Sequence, residues 1–557
     1  MTDPEPRSSS RPEGPGEAAK PGFTGAFTDD APWTVDPATM TWRAGIDDLR
    51  RRTSRRVPQL IAPRRLPPGR RALAVVSRIV PAVAGWYFVD RRRAPGTPPS
   101  REGLSRRLRI AFQELGPTYI KLGQIISAGE GIFPPEVVRE FRLLRDRVPA
   151  EPFPAVARIV EEDLGRPIGD VFSFFATHPI AAASIAQVHA ATLCTGEEVV
   201  VKVQRPGVAT LVRQDIETMS WIAPHLVGRI PIAALANPPA LVELFASTIV
   251  EELDFRLEAQ NMLDIAEVLA GAGASMGNVR PLIVPRPHPE LVTRRILVME
   301  RIDGLAWDDT DAIRAAGIDT EAVLKAGVIA LIEGAMFHGV FHGDLHGGNL
   351  VVRSNGQVAL LDFGITGRLD EPHRLAYLRL MMAATVNDIH GQVEAVRDAG
   401  ALPADVDVDA VIADLGLDRP PLDPTTMTSE EMTSELRAIG KALLSYGARM
   451  PKELMLIIKN LLFLDASIAA LAPEIDILAE VADIATYFTQ HHGARIARDV
   501  GRDPREAALD LQGVRASLGI VDERESLSYR ELLERRAVIR RRFAEGARRR
   551  HRLFGRH

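Results

Sequence analysis

The sequence predicts an α+β fold of two lobes with a helical extension in front, and three observations predict it. Strand-like runs are confined to Pro179–Leu193 and Glu197–Val203, with a short return at Arg295–Met299. Helical patterning dominates before them, from Arg101 to Leu164, and after them, from Glu321 to about residue 490. A single hairpin signal, Asn355-Gly356, interrupts the second helical region.

Each element follows in order. Residues 1–40 are rich in Pro, Gly, Ser and acids and read as a disordered tail. Residues 41–100 read as a basic, partly helical linker with Arg43, Arg50, Arg51, Arg52, Arg55, Arg56, Arg64, Arg65, Arg70 and Arg71, ending in the turn-rich 94–99. Residues 101–178 form the helical extension, broken at Phe133-Pro134-Pro135 and resumed at Phe153–Leu164. Residues 179–300 form the smaller lobe, with one long helix expected over Pro239–Leu269, and residues 301–490 the larger. Residues 491–557 read as a basic helical tail with arginines at 540–542 and 548–550.

A chain of 557 residues, 46% hydrophobic and 25% charged, suits two or three globular units. A net charge of −5 gives no global attraction to nucleic acid, and none is expected as a partner. The basic clusters are either solvated helix faces or contacts for anionic lipid. Cys194 is the only cysteine, so no intramolecular disulfide is possible. The N-terminus carries no signal-peptide pattern. Two apolar stretches resemble spans. Ala72–Val89 contains Arg78, Pro81 and Gly85, and is expected as an internal helix, or as an interfacial one through Trp86, Tyr87 and Phe88. Leu454–Ala472 contains Lys459, Asn460 and Asp465, and is expected as a buried helix.

The chemistry concentrates in His342-Gly343-Asp344-Leu345-His346-Gly347-Gly348-Asn349, followed by Leu361-Asp362-Phe363-Gly364. Phosphoryl transfer needs a metal at the phosphates and a carboxylate that orients the attacking oxygen. Asn349 and Asp362 offer the hard oxygen ligands that magnesium prefers, and Asp344 offers the catalytic carboxylate. With Asn355 and Gly356 as a two-residue turn, Asn349 would face Asp362 across the hairpin. His342 and His346 read as structural. In the smaller lobe, Lys202 lies in the strand Val199-Val200-Val201-Lys202-Val203 and would meet the phosphates, oriented by a helical carboxylate. Glu258 is the candidate, with Asp254 four residues earlier on the same expected helix face. Ahead of Lys202, alanines stand where a phosphate loop would carry glycines: Ala181, Ala182, Ala183, then Ser184. Together these marks predict a protein-kinase-like, two-lobed fold.

This combination resembles the UbiB (AarF-like) family of atypical kinases from about Leu104 to about residue 475. Lys121-Leu122-Gly123-Gln124 matches its Lys-x-Gly-Gln motif, Glu252-Leu253-Asp254 its Glu-x-Asp motif, and Val298-Met299-Glu300 its hinge. The resemblance implies binding of ATP or ADP with Mg2+, and an extension that lays Lys121 and Gln124 over the active site. It assigns Lys121, Gln124, Glu252, Asp254 and Glu300 to the nucleotide site. It also implies a role in isoprenoid quinone or other prenyl-lipid metabolism, alongside lipid-biosynthesis proteins, at the cytoplasmic face of a membrane. The family's two loop prolines are Leu345 and Gly347 here, and its Gly before the loop Gln is Ala186. A small-molecule phosphotransferase like the aminoglycoside or choline kinases, a nucleotide-binding scaffold and an ordinary protein kinase are the competing readings. The last lacks an Ala-Pro-Glu motif after Gly364.

Overall fold

The computed structural model describes residues 23–62, 66–90, 98–128, 135–144, 149–226, 238–275, 281–418, 439, 442–443, 445–448, 451–506, 509–517, 526–539 and 541. The expected tail at 1–22, the turn at 94–97, the break at 133–134 and most of the C-terminal arginines lie outside these residues.

The smaller lobe is an antiparallel sheet of six strands: β1 (Phe172–Phe175), β2 (Ala181–Ala182), β3 (Ala186–Leu193), β4 (Glu198–Gln204), β5 (Pro287–Val292) and β6 (Ile296–Glu300). Its order is β1-β3-β4-β6-β5, with β2 beside β3. The β-branched run Val199–Val203 is central in this sheet. Both its faces are covered, which explains why it reads as continuous rather than alternating hydrophobicity. The helix Phe153–Leu164 covers one face through Val156, Ile159 and Val160. The helix Phe255–Ser275 crosses toward the larger lobe.

One long helix over Pro239–Leu269 does not form. The chain makes two helices, Pro238–Glu251 and Phe255–Ser275, separated by Glu252-Leu253-Asp254. Tertiary hydrogen bonds hold the break: Phe255 N donates to Arg294 O (3.0 Å), and Gln204 Nε2 donates to Leu253 O (3.2 Å). Asp254 therefore precedes the helix that carries Glu258, and the two do not share a face.

The larger lobe packs Thr320–Glu333, Lys452–Leu471 and Ile477–Val500 around small strands that carry the loop motifs. Strands β7 (Leu350–Val352) and β8 (Val358–Leu360) pair as Leu350↔Leu360 and Val352↔Val358. That register differs by one residue from the two-residue turn. The loop is Ser354-Asn355-Gly356, with Gly356 at φ +84° and its N–H on Arg353 O (3.0 Å). Asn355 Oδ1 accepts from Gln357 N, so only the glycine needs the left-handed region. Asn349 thus pairs with Leu361, whose N–H donates to Asn349 O (2.9 Å), and Asp362 lies one residue further along.

From Phe23 the chain is bound rather than a loose tail. Ala26 N donates to Ala266 O and Val284 N donates to Ala26 O, both at 2.8 Å, and Phe27, Val35 and Met40 are buried. Part of the basic stretch is likewise tied to the molecule, while Arg51, Arg52, Arg55, Arg56 and Arg70 stay exposed. Arg43 reaches Gln260 (2.8 Å), Arg50 reaches Asn261 (3.0 Å), and Arg71 pairs with buried Asp215 (2.6 Å). At the other end, Leu527, Tyr529 and Leu532 are buried and Arg536 pairs with Asp465.

Among the described residues, two helices are long and apolar enough to cross a membrane: Gly69–Asp90 and Lys452–Leu471. The second lies in the larger lobe, where Trp307 Nε1 donates to Ser467 Oγ (3.2 Å). The first buries Ala72 and Val75 but exposes Leu73, Val80, Tyr87 and Phe88.

Candidate active site

Lys202 occupies the middle of β4, opposite Val188 on one side and Leu297 on the other. Its neighbours Val201 and Val203 point into the lobe core, which sends the ammonium to the face between the lobes. There its Nζ lies 2.6 Å from Glu258 Oε1 and 3.3 Å from Asp362 Oδ1. The lysine and the glutamate are nearly buried, whereas the Asp362 side chain keeps 42% of its exposure. Burial disfavours the charge on Lys202, yet Asp362 and Glu258 hold its pKa above the ordinary lysine value. Burial raises Glu258 to about 7 against the pull of Lys202. Asp362 stays well below the usual carboxylate range: burial opposes this, but Lys202, Lys121 and the Gly364 N–H (3.0 Å) outweigh it.

The loop motif is fixed by backbone bonds. His342 is buried and bridges two loops: its Nε2 donates to Asp362 O (2.5 Å) and its Nδ1 accepts from Asp344 N (3.2 Å). It is a neutral structural histidine, lowered in pKa by burial. Asn349 Nδ2 donates to Asp344 O (3.1 Å), which turns Oδ1 away from that carbonyl. Gly347 lies directly against Asp308, and an added Cβ there would sit 2.0 Å from Asp308 Oδ1.

Lys121 comes from the helix Pro117–Ala128 of the extension. Its Nζ is 3.0 Å from Glu252 Oε1, an ion pair without hydrogen-bond alignment. Burial works against its charge, but Glu252, Asp344 and Asp362 raise its pKa beyond that of a free lysine. Burial raises Glu252, with Lys121 pulling the other way. Gln124 is half-buried one turn along the same helix. Gly123 is required by packing, because a Cβ there would lie 2.1 Å from Leu144 Cδ1.

Three candidates are placed otherwise. Asp254 spends its carboxylate on Arg256 (2.8 Å). Glu300 spends its carboxylate on Arg286 (3.2 Å) and on the hydroxyl of Thr28, so only its backbone remains for a hinge. The alanine loop is a closed turn: Ala183 N donates to Ala186 O (2.9 Å), Ser184 is buried, and Arg205 Nε donates to Ala183 O (3.0 Å). Arg205 anchors this turn to Pro149 O (2.8 Å) and Glu151 (3.0 Å).

Sequence reasoning missed two residues. Lys459, in the helix Lys452–Leu471, contacts Asp344 Oδ1 directly. Its neighbour Asn460 is fully buried, donates to His342 O and accepts from Leu345 N (3.1 Å). Asp344 is held below the ordinary carboxylate range because Lys459 and Lys121 outweigh its burial. The available signal was an adjacent Lys-Asn inside an apolar helix, since buried polar groups require partners.

A lysine–glutamate pair on a strand and a helix, facing an Asp-Phe-Gly carboxylate and a loop Asp with Asn five residues on, is a kinase constellation. A family model described as the ABC1 atypical kinase-like domain matches residues 143–396. An uncharacterized protein of Mycobacterium tuberculosis is 36% identical over 408 residues, covering 72% of this chain and 82% of that relative. A probable protein kinase UbiB of Pseudomonas putida is 32% identical over 384 residues, 68% of this chain and 70% of the relative. The chain belongs to the ABC1 (UbiB/AarF-like) atypical kinase family. An uncharacterized aarF domain-containing chloroplast protein kinase of Arabidopsis thaliana shares 32% identity over 398 residues, 67% and 73% of the two chains. The ABC1 match starts after Lys121 and ends before Lys459, so both lie outside the matched residues.

Proposed function

We propose that this ABC1-family chain binds ATP with magnesium and transfers or hydrolyses its terminal phosphoryl group in support of prenyl-lipid metabolism at a membrane surface. The observation that carries this reading is the Lys202–Glu258 pair at 2.6 Å with Asp362 3.3 Å from the same Nζ. Lys202 would meet the phosphates, and the backbone of Val298–Glu300 would meet the adenine. Asp362 and the free side of Asn349 fit magnesium. Among the described residues no group of three His, Cys, Asp or Glu could hold a metal by itself. One carboxylate and one amide suit an ion that takes its other ligands from phosphate and water. Such an ion would neutralise phosphate charge. Asp344 would orient the acceptor oxygen and take its proton.

The acceptor side distinguishes this reading from a protein kinase. In support, Lys121 is paired with Glu252 and feels the charges of Asp344 and Asp362, and an extension there would stand in the way of a peptide. For the membrane, the support is the outward stripe Leu73, Val80 and Tyr87, seven residues apart on one helix. The test is magnesium-dependent ATP turnover with and without vesicles containing anionic lipid and a prenyl-lipid mimic. Stimulation by vesicles is expected, and generic peptides should remain unphosphorylated. Absence of nucleotide binding would sink the proposal. Phosphate appearing on a soluble alcohol or aminoglycoside would replace the lipid acceptor with a small molecule.

A further inference from the structure

We infer that Lys459 is the cation for the transferred phosphoryl group, held on Asp344 until a nucleotide enters. This rests on the ATP reading above and adds a residue to it.

The loop from His342 to Asn349 carries a carboxylate and an amide but no lysine or arginine. A transferring phosphoryl group nevertheless spreads negative charge over three oxygens, and fixed cations beside it stabilise the transition state. Two lysines of the site are already committed. Lys202 is held by Glu258 and Asp362, and Lys121 by Glu252. Lys459 is the third, and its partner is the catalytic carboxylate itself.

The surroundings of Lys459 make that placement reproducible. Asn460 bonds the loop on both sides of Asp344, at His342 O and Leu345 N, and so fixes the helix against the loop. Lys459 then projects from a helix whose neighbouring positions are Leu456, Ile457, Leu461 and Leu462. Its side chain keeps 26% exposure and that of Asp344 17%, so the pair is not sealed from solvent.

The chemistry balances with Lys459 exchanging no proton. The acceptor O–H proton passes to Asp344, the acceptor oxygen bonds to phosphorus, and the bond to the bridging oxygen breaks to release ADP. Asp344 must be free of its ion pair to take that proton. When terminal phosphate oxygens draw Lys459 away, Asp344 is freed as the base and the Lys459 ammonium neutralises charge on the phosphate.

The test compares binding of MgATP and MgADP by calorimetry. Lys459→Met should weaken MgATP at least about tenfold, the scale of one lost charge-assisted contact, while MgADP stays within about twofold. Lys459→Arg should restore MgATP to within about threefold of the native chain. Equal weakening of both nucleotides with the Arg variant unrestored, or no change in either, overturns the inference. If Lys459→Met binds neither nucleotide, the Arg variant decides alone: MgATP within about threefold supports the role, and its loss rejects it. A native chain that binds neither nucleotide removes the ATP reading itself, and this inference with it.

Discussion

Lys121 and Glu252 show what a single buried pair does in this site. Both are nearly enclosed, at 14% and 6% side-chain exposure. Removing one partner of such a pair strands a buried charge, which costs roughly 3–5 kcal/mol. Lys121→Met should therefore lower the urea midpoint clearly, and adding Glu252→Gln should recover part of the loss. An unchanged midpoint in the single variant would mean that Glu252 is solvated. Asp362 and Asp344 divide differently. Asp362→Asn should weaken magnesium-dependent nucleotide binding, because it removes the exposed carboxylate of the cation site. Asp344→Asn should leave binding in place and cut turnover at least about 100-fold, the usual worth of a positioned base. Single-turnover rates beside binding curves separate the two. Asp344 and Asp362 were readable from the spacing of their loop motifs, Lys121 and Glu252 only through the family resemblance, and Lys459 from neither.

At the scale of elements, the extension and the sheet are tied by specific contacts. Gly123 lets the Lys121 helix approach the helix Pro135–Phe141 and Leu144, where no Cβ fits. Gly123→Ala should cost about 1–3 kcal/mol by overpacking, read as a lower melting temperature. The helix Phe153–Leu164 is tied to the β5–β6 turn through Asp163, which accepts from Arg295 Nε (2.8 Å) and Thr293 Oγ1 (2.7 Å). Burial pulls the Asp163 pKa up, but these bonds bring it below the ordinary 3.8. A depressed carboxylate contributes stability above its unfolded pKa and loses it as pH falls through the folded one. Asp163→Asn should thus lower the melting temperature at pH 7, with the gap to the native chain closing below about pH 4. A gap constant from pH 7 to pH 3 would remove the carboxylate from the account. Elements were legible where period and caps agree, as at Phe153–Leu164. They were misread where tertiary bonds decide, as at Glu252-Leu253-Asp254.

Across the whole molecule, the N-terminal segment and the first arginine-rich helix lean on the helix that carries Glu258. Arg43 reaches Gln260 and Arg50 reaches Asn261, whose Nδ2 in turn donates to Phe363 O (3.0 Å). Ordering of the first lobe and of the metal motif are thereby linked through one helix. The outward stripe belongs to this scale too. Leu73→Asp with Val80→Asp should abolish vesicle stimulation of ATP turnover while leaving nucleotide affinity within about twofold. Retained stimulation in a flotation and turnover assay would place membrane contact elsewhere.

The sequence by itself determined the α+β kinase-like fold and pointed to the residues that meet between the lobes. Lys202, Glu258, Asp344, Asn349 and Asp362 are singled out by local motifs, and the structure brings them together. Only the tertiary structure decided the rest. It set the hairpin register one residue from the two-residue turn, separated Asp254 from Glu258, turned the side chain of Glu300 to Arg286, and brought Lys459 onto Asp344 across 115 positions of chain. The reason is physical. A buried charge takes whichever partner packing brings within reach, and neither periodicity nor spacing along the chain specifies that choice.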